Sequence, residues 1–146
     1  MIKLNSPEPN KKYSTRISSY VISFNDEGKI PIVHHENWGL ILPGGKIDNN
    51  ESPEEAIKRE TIEEIGYEII GLEFYEEIED HYDIHAYGEL HHTHALASFY
   101  TGKITNKIAE PIEIDVTLEW HTLEEIQGKM KLEFQNVILK KLLDEQ

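Results

Sequence analysis

The sequence contains no cysteine, which excludes disulfide bonds, thiol catalysis and thiolate metal sites. Arginine is almost as scarce: Arg16 and Arg59 are the only two, so the position of each one requires an explanation. No apolar run is long enough to span a bilayer, and the N-terminal residues lack the apolar stretch of a signal peptide. These absences predict a soluble cytoplasmic protein without a membrane partner.

Basic charge is also in short supply. The chain carries 28 Asp and Glu residues against 14 Lys and Arg residues, for a net charge of −14. A surface of this charge repels phosphate backbones, so we expect no binding to nucleic acid. The expected partners are therefore small molecules, and a homodimer is left open.

A length of 146 residues fits one domain over 1–146, with 1–14 expected to be a mobile N-terminal segment. Strands are predicted to alternate with two main helices in a mixed α/β order. The predicted strands cover 17–24, 29–33 (returning as a hairpin), 67–80 (bent), 92–104 and 116–120, and a polar loop is predicted over 80–90. The predicted helices cover 52–65 and 132–143, with a helical turn at 122–127.

The first of these helices has clear start and stop signals. Ser52 suits the N-cap, Pro53 the first helical position, and Glu55 completes a capping box. Gly66 suits the C-terminal cap. The segment between them is therefore predicted to be a well-defined helix.

Three carboxylates lie close together on one face of this predicted helix. Glu60 is separated from Glu63 by three positions and from Glu64 by four, and no basic residue follows Arg59 within the helix. Carboxylates placed in this way repel one another and raise one another's proton affinity, whereas a divalent cation would reverse that cost. Oxygen ligands suit a hard ion, so Mg²⁺ or Mn²⁺ is the expected cofactor.

The pair Gly44 and Gly45 precedes the helix. Glycines allow a close approach of the backbone, so this segment can offer a carbonyl to a metal or amides to a phosphate. Arg59 lies next to Glu60 and four positions from Glu63, which suits it to orienting carboxylates. Taken singly, a charged helix face is usually only solvated and a glycine pair is usually only a turn.

Together these residues form a longer pattern that resembles the signature of the Nudix hydrolase family. The signature covers 23 residues, and its single departure is Thr61, where the family usually has an aliphatic residue. The matching positions are Gly45, Glu51, Arg59, Glu60, Thr61, Glu63, Glu64, Gly66 and Tyr67.

The resemblance implies an α/β/α sandwich, with a mixed β-sheet between helices, and metal-dependent hydrolysis of a nucleoside diphosphate linked to another moiety. It implies that Glu60 and Glu64 are the principal metal ligands and that Glu63 is a further ligand or the base that activates water. It also implies a ligand carbonyl from Gly44. The remaining roles implied are that Arg59 holds the glutamates and that Glu51 anchors the loop to the helix.

Further candidates lie outside the signature. Of Glu110, Glu113 and Asp115, we select Glu113 as the late acidic residue that the family often uses as a ligand or base near the substrate, although a solvated strand-edge charge is an equal alternative. Arg16 is a candidate for binding a substrate phosphate, with a surface ion pair as the alternative. Gly45 is expected to contact substrate through its backbone.

Five histidines crowd one region, which leaves open a zinc site, an edge of the substrate pocket, or ordinary exposed positions. They are His81, His85, His91, His92 and His94. Three aromatic residues are candidates for stacking on a base or for the core. They are Trp38, Tyr82 and Tyr87.

What the sequence lacks also narrows the substrate. The ADP-ribose branch of the family tends to carry a proline beyond the signature, but 54–110 contains none. The coenzyme A branch has an arginine before the signature, but 32–42 contains none. A nucleoside triphosphate or related small nucleotide is therefore expected, with diadenosine polyphosphates kept open. The alternatives to a hydrolase are a nucleotide sensor of the same fold without turnover and a scaffold with an acidic patch.

Overall fold

The computed structural model describes residues 1–146 and contains two β-sheets. The first sheet has five strands in the order β1-β6-β7-β2-β5 and mixes parallel with antiparallel pairs. The second has three antiparallel strands in the order β4-β3-β8. The strands are β1 (Ile2–Lys3), β2 (Ser14–Ile22), β3 (Ile30–His35), β4 (Gly39–Ile41), β5 (Gly44–Lys46), β6 (Tyr67–Ala86), β7 (Glu89–Lys107) and β8 (Val116–His121).

Three helices complete the fold: α1 (Pro53–Ile65), α2 (Leu123–Ile126) and α3 (Glu133–Asp144). Neighbouring residues of β2 show how the helices cover both faces of the larger sheet. Tyr20 belongs to the main core, where its ring packs with Phe134 of α3. Val21 belongs to a smaller cluster with Ile57 of α1. Because successive strand residues point to opposite faces, the sheet lies between α1 and α3, and the predicted α/β sandwich is confirmed.

The helix predicted over 52–65 is confirmed at both ends. Ser52 is the N-cap, both hydrogen bonds of the capping box with Glu55 are present, and Gly66 ends the helix at φ +78°. The predicted C-terminal helix and the turn at 122–127 correspond to α3 and α2. The longest helix, α1, has only 13 residues, and none of the helices combines the length and apolar character that crossing a bilayer requires.

The prediction that strand 29–33 returns as a hairpin beside strand 17–24 is wrong. A turn does form, with Asn25 N–H donating to the Lys29 carbonyl over 2.9 Å. The strand that follows it, β3, instead joins the other sheet and pairs with β4 and β8. The reason is that both edges of β2 are already occupied, by β7 in parallel and by β5 antiparallel.

The prediction of a polar loop over 80–90 is also wrong. Strands β6 and β7 continue through this region as one long hairpin, closed by Tyr87 and Gly88 at φ +54° and +76°. Two central residues with positive φ suit the twist of paired strands. Polar side chains pair across the strands, with His81 opposite His94 and Asp83 opposite His92, so a polar sequence is compatible with regular pairing here.

The N-terminal segment expected to be mobile contributes a strand. Ile2 and Lys3 pair in parallel with β6, and Leu4 N–H continues the pairing by donating to the Glu79 carbonyl over 2.9 Å. Asn5 then donates from its backbone N–H and from its side-chain amide to Asp80 Oδ1, each over 3.0 Å. Long-range backbone pairing of this kind has no local sequence signal.

Candidate active site

Helix α1 forms part of the wall of a cleft beside β5. Glu60 and Glu64 line the cleft, and Glu64 is 4% exposed. The cleft has a volume of about 850 Å³ and lies between the second sheet, the start of β2 and the β6–β7 hairpin. The capped helix fixes the positions of its side chains better than a loop would.

The glycine pair forms the floor beneath these carboxylates. A Cβ atom on Gly44 would lie 2.1 Å from the Ser19 carbonyl oxygen, so glycine is required for β5 to approach β2 this closely. A Cβ atom on Gly45 would lie 3.2 Å from the Glu60 carboxyl carbon. The Gly44 N–H donates to Glu64 Oε1 over 3.0 Å, which fixes the orientation of that buried carboxylate.

Arg59 connects the acidic residues, as its position in the sequence predicts. Its Nε donates to Glu51 Oε2 over 2.7 Å, and its Nη1 donates to Glu60 Oε1 over 2.9 Å and to Glu63 Oε2 over 3.4 Å. Its Nη2 donates to Glu51 Oε1 over 3.0 Å and to the Lys46 carbonyl over 3.1 Å. The guanidinium therefore ties the helix to the loop after β5.

Arg59 compensates its partners unequally. Its hydrogen bonds hold the pKa of Glu51 below the usual range. Burial nevertheless raises the pKa of Glu60, and Glu63 and Glu113 add to that rise against the opposing effect of Arg59. Burial raises the pKa of Glu64 well above its usual range, despite the Gly44 hydrogen bond, and the charges of Glu60 and Glu113 add to it. Arg59 therefore does not offset the effect of burial on Glu60 and Glu64.

Glu113 reaches the same wall from the segment between β7 and β8. The N–H groups of Ile112 and Glu113 donate to the Glu63 carbonyl over 3.1 Å and 3.3 Å. The N–H groups of Ile108 and Ala109 donate to the Gly66 carbonyl over 2.8 Å and 3.2 Å. The segment that carries Glu113 is therefore attached to the Glu63 carbonyl of α1 and to the carbonyl of its C-cap, Gly66.

Two groups of side chains bring their ligand atoms within 4.8 Å of one another. One consists of Glu60, Glu63 and Glu113, and the other of His35, Glu64 and Glu113. We name these residues, together with Arg59, the cleft cluster. Glu113, which was selected from the sequence, belongs to both groups.

Sequence reasoning missed His35. It is the last residue of β3 and lines the cleft, and its Nε2 is buried without a hydrogen-bond partner. The Trp38 indole and the imidazole form a T-shaped pair, with ring centroids 6.1 Å apart and planes at 89°. A signal was present, because in the pair His34-His35 strand alternation must turn one side chain towards each face.

The other candidates are divided between the cleft and the outer surface. Arg16, Gly45, Trp38, Tyr82 and Tyr87 all line the cleft. Of the five crowded histidines, His91 alone lines it.

The remaining crowded histidines do not line the cleft, and two of them pair with acids on the opposite face of the β6–β7 hairpin. His92 Nδ1 lies 2.6 Å from Asp83 Oδ1, and His94 Nε2 lies 2.7 Å from Glu79 Oε2. The His81 ring stacks on His94 at 4.5 Å. We name these residues, with Lys11, the hairpin cluster. It contributes to neither group of candidate metal ligands.

Known proteins resemble this chain in sequence and in fold. A 43-residue stretch is 49% identical to the 8-oxo-dGTP diphosphatase of Haemophilus influenzae, covering 30% of this chain and 32% of that protein. The match therefore spans about a third of the length of that relative.

Two crystal structures have the same fold. The MutT NUDIX hydrolase from Burkholderia pseudomallei matches with a TM-score of 0.68 and 22% identity, over 87% of this chain and 97% of that one. The MutT protein from Methanosarcina mazei Go1 matches with a TM-score of 0.65 and 21% identity, over 93% and 98%. At these identities the likeness concerns the fold alone.

The family comparison covers most of the chain. Residues 14–143 match the family model of the NUDIX domain. This span includes the whole signature from Gly45 to Tyr67, the second sheet, the β6–β7 hairpin and most of α3. The chain therefore belongs to the Nudix family.

Proposed function

We propose that the protein is a divalent-metal-dependent hydrolase that cleaves the pyrophosphate linkage of a nucleoside diphosphate derivative. The expected substrate is a nucleoside triphosphate or a related small nucleotide. One observation carries the proposal: buried and half-buried carboxylates of the cleft cluster converge on one wall of a cleft, and the only cation bonded to them, Arg59, is shared among several acids.

The chemistry of these side chains fits Mg²⁺ or Mn²⁺. Glu60, Glu63 and Glu64 would hold the ion, with the backbone carbonyl of Gly44 as a further ligand. Carboxylate and carbonyl oxygens suit both ions. A bound ion would lower the pKa of a coordinated water and neutralise charge on the phosphates. The pKa of Glu64 is raised because its carboxylate is buried and poorly solvated, and a bound cation would compensate for that burial.

The glutamates are held to different degrees, which supports different roles. Glu64 is fixed by the Gly44 N–H and Glu60 by the 2.9 Å hydrogen bond from Arg59, so both suit rigid ligands. Glu63 has one 3.4 Å contact with Arg59, and its side chain is 31% exposed. A carboxylate with this freedom suits a base that takes a proton from the attacking water. Arg59 and Glu51 act as positioning residues.

The cleft suits a nucleotide in size and in chemistry. Its volume of about 850 Å³ falls within the usual range for small-molecule sites, about 300 to 1,000 Å³. Arg16 would bind a phosphate, and Gly45 would allow the substrate to approach the backbone closely. Glu113 would contact the substrate from the wall that carries Glu60 and Glu64. Aromatic side chains of the cleft, Trp38, Tyr82 and Tyr87, are available to stack on a base.

A nucleotide panel tests this function. Natural and 8-oxidised nucleoside triphosphates and diadenosine polyphosphates are incubated with Mg²⁺ or Mn²⁺, and released phosphate and pyrophosphate are measured. The 8-oxidised compounds are included because the partial relative from Haemophilus influenzae is a diphosphatase for 8-oxo-dGTP. We expect turnover of at least one nucleotide. Nucleotide binding without turnover of any of them would favour the sensor alternative.

A further inference from the structure

His35 is the last residue of β3 and lines the cleft. Its buried Nε2 has no hydrogen-bond partner, although a buried polar nitrogen normally has one. A ring nitrogen of His35 also lies within 4.8 Å of carboxylate oxygens of Glu64 and Glu113. The imidazole is therefore near two acids without forming a hydrogen bond to either.

We propose that His35 is a nitrogen ligand of the divalent ion and that it forms a mixed site with Glu64 and Glu113. This inference rests on the proposed function, because it concerns the ion on which that function depends. It adds a ligand from outside the 23-residue signature and of a different chemical type from the carboxylates that the signature supplies.

The spacing of the three side chains suits a shared ion. Octahedral ions with bonds of about 2.1 Å hold their ligand atoms about 3 to 4 Å apart, so atoms within 4.8 Å can meet one ion with small adjustments. Without an ion, the charge of Glu113 repels that of Glu64 and adds to the burial that raises the pKa of Glu64. A cation between them would remove that repulsion and provide a partner for the imidazole.

The packing around His35 restricts its ring. The Trp38 indole packs against it edge to face, and the backbone N–H of Trp38 donates to the backbone carbonyl of His35 over 3.1 Å. The neighbouring His34 is different, because its Nδ1 lies 2.6 Å from Glu119 Oε2 in the second sheet. Only one of the two adjacent histidines therefore keeps a buried nitrogen without a partner and faces the cleft.

A nitrogen ligand has a consequence for the choice of metal. Carboxylate, carbonyl and water ligands suit both Mg²⁺ and Mn²⁺, whereas an imidazole ligand favours first-row transition metals over Mg²⁺, and Co²⁺ more than Mn²⁺. We expect the protein to bind Mn²⁺ and Co²⁺ more tightly than Mg²⁺. We expect His35→Phe, which keeps a ring beside Trp38 but removes both nitrogens, to reduce that preference.

The test measures metal binding without substrate or turnover. Mn²⁺ is titrated into wild-type, His35→Phe and His34→Phe proteins, and free Mn²⁺ is followed by its electron paramagnetic resonance signal. Pulsed measurements on the bound ion detect coupling to a ¹⁴N nucleus. The wild type and His34→Phe should show the coupling, and His35→Phe should lose it and bind Mn²⁺ about 10-fold or more weakly, the lower end for losing a group that supports a metal site.

Each outcome decides the proposal. Persistence of the ¹⁴N coupling in His35→Phe, or its absence from Mn²⁺-loaded wild type, overturns the His35 ligand while leaving the proposed hydrolase intact. Failure of the wild type to bind Mn²⁺ or Mg²⁺ at all overturns the metal dependence of the proposed function itself. If His35→Phe does not fold, wild type grown with ¹⁵N-labelled histidine must show the corresponding change in coupling, and an unchanged spectrum counts against the ligand.

Discussion

The cleft cluster and the hairpin cluster contain the same kinds of side chain and differ in how charge is balanced. In the hairpin cluster, Asp83 lies 2.8 Å from Lys11 and 2.6 Å from His92, and Glu79 lies 2.7 Å from His94. In the cleft cluster, Arg59 is shared by several acids, and Glu64 has only a backbone partner among the hydrogen bonds of the structure.

The pKa directions of the two clusters are opposite for this reason. Hydrogen bonds from Lys11 and His92 hold the pKa of Asp83 below its usual range. Burial raises the pKa of Glu64 and Glu60, and neighbouring carboxylates add to the rise. Density of charged residues therefore does not identify a site by itself. Charge that is desolvated and left without a local partner is the better indicator.

Breaking the cleft cluster at its most buried acid should have the largest effect. Glu64→Gln keeps the size of the side chain and an oxygen for the Gly44 N–H, but it loses the charge that a hard cation requires. We expect nucleotide turnover to fall by roughly 10²-fold or more, the lower end for loss of one catalytic group. Steady-state kinetics with saturating Mg²⁺ or Mn²⁺ provide the measurement.

The matched control is Asp83→Asn in the hairpin cluster, which makes the same carboxylate-to-amide change outside the cleft. Its turnover should equal that of wild type. Millimolar Mn²⁺ should also stabilise wild type and Asp83→Asn, by about 2.7 kcal/mol in the free energy of unfolding at a hundredfold excess over Kd. Their melting midpoints should rise accordingly, whereas that of Glu64→Gln should not. Equal turnover of Glu64→Gln and wild type would contradict the assigned role.

Removing the shared cation should affect both activity and stability. Arg59→Ala removes the hydrogen bonds that Glu51, Glu60 and the Lys46 carbonyl accept from the guanidinium, and so loosens the loop after β5. We expect a loss of about 1 to 3 kcal/mol in the free energy of unfolding, as for hydrogen bonds between charged groups. Urea denaturation checks this value, and an Arg59→Ala protein of unchanged stability would show that the network is not structural.

The two clusters should also respond oppositely to pH in the metal-free protein. Because the folded-state pKa of Glu64 is raised, its contribution favours folding below the unfolded-state pKa of about 4.3 and is lost as pH rises through the folded-state value. Glu64→Gln removes this dependence. The melting midpoint of Glu64→Gln, measured relative to that of wild type, should therefore increase as the pH is raised from 5 to 8. A constant difference across that range would contradict the raised pKa.

The smallest effect is expected for Asp83, where the sign is reversed. Its pKa is lowered in the folded state, so its contribution to stability is present above the unfolded-state pKa and is lost as pH falls through the folded-state value. Asp83→Asn should therefore melt slightly below wild type at pH 7 and match it under strongly acidic conditions. High salt should reduce the difference, because the side chain is 32% exposed. A loss of stability in Asp83→Asn at pH 7 as large as that in Arg59→Ala would contradict the difference drawn between the two clusters.

The sequence was sufficient for α1 and its acids because their signals are local. Ser52, Pro53 and Gly66 mark the helix, and a spacing of three or four residues places carboxylates together whatever the rest of the fold does. The pairing of β3 with β8 and of β1 with β6 depends on which strand edges remain free, and this information is not local.

The same difference explains why the site was only partly predicted. Glu113 was selected by resemblance, whereas His35 comes from a strand of the other sheet and has no spacing relation to α1. The hairpin of β6 and β7 was missed because its turn, Tyr87-Gly88, lacks the Asn-Gly or Asp-Gly pair that usually marks such a turn. Its polar side chains also suggested a loop.

The attachment of the Glu113 segment to α1 affects which residues around the cleft can change during evolution. Main-chain N–H groups seat the segment on the Glu63 and Gly66 carbonyls, and a Cβ atom on Gly66 would lie 2.0 Å from the Ala109 carbonyl oxygen. Such bonds are indifferent to the side chains of the segment, and those of Ile112 and Ile114 are exposed. Single substitutions can therefore change the side chains of this segment while its backbone stays in place. The substrate preference can then change without any change in the carboxylates of α1.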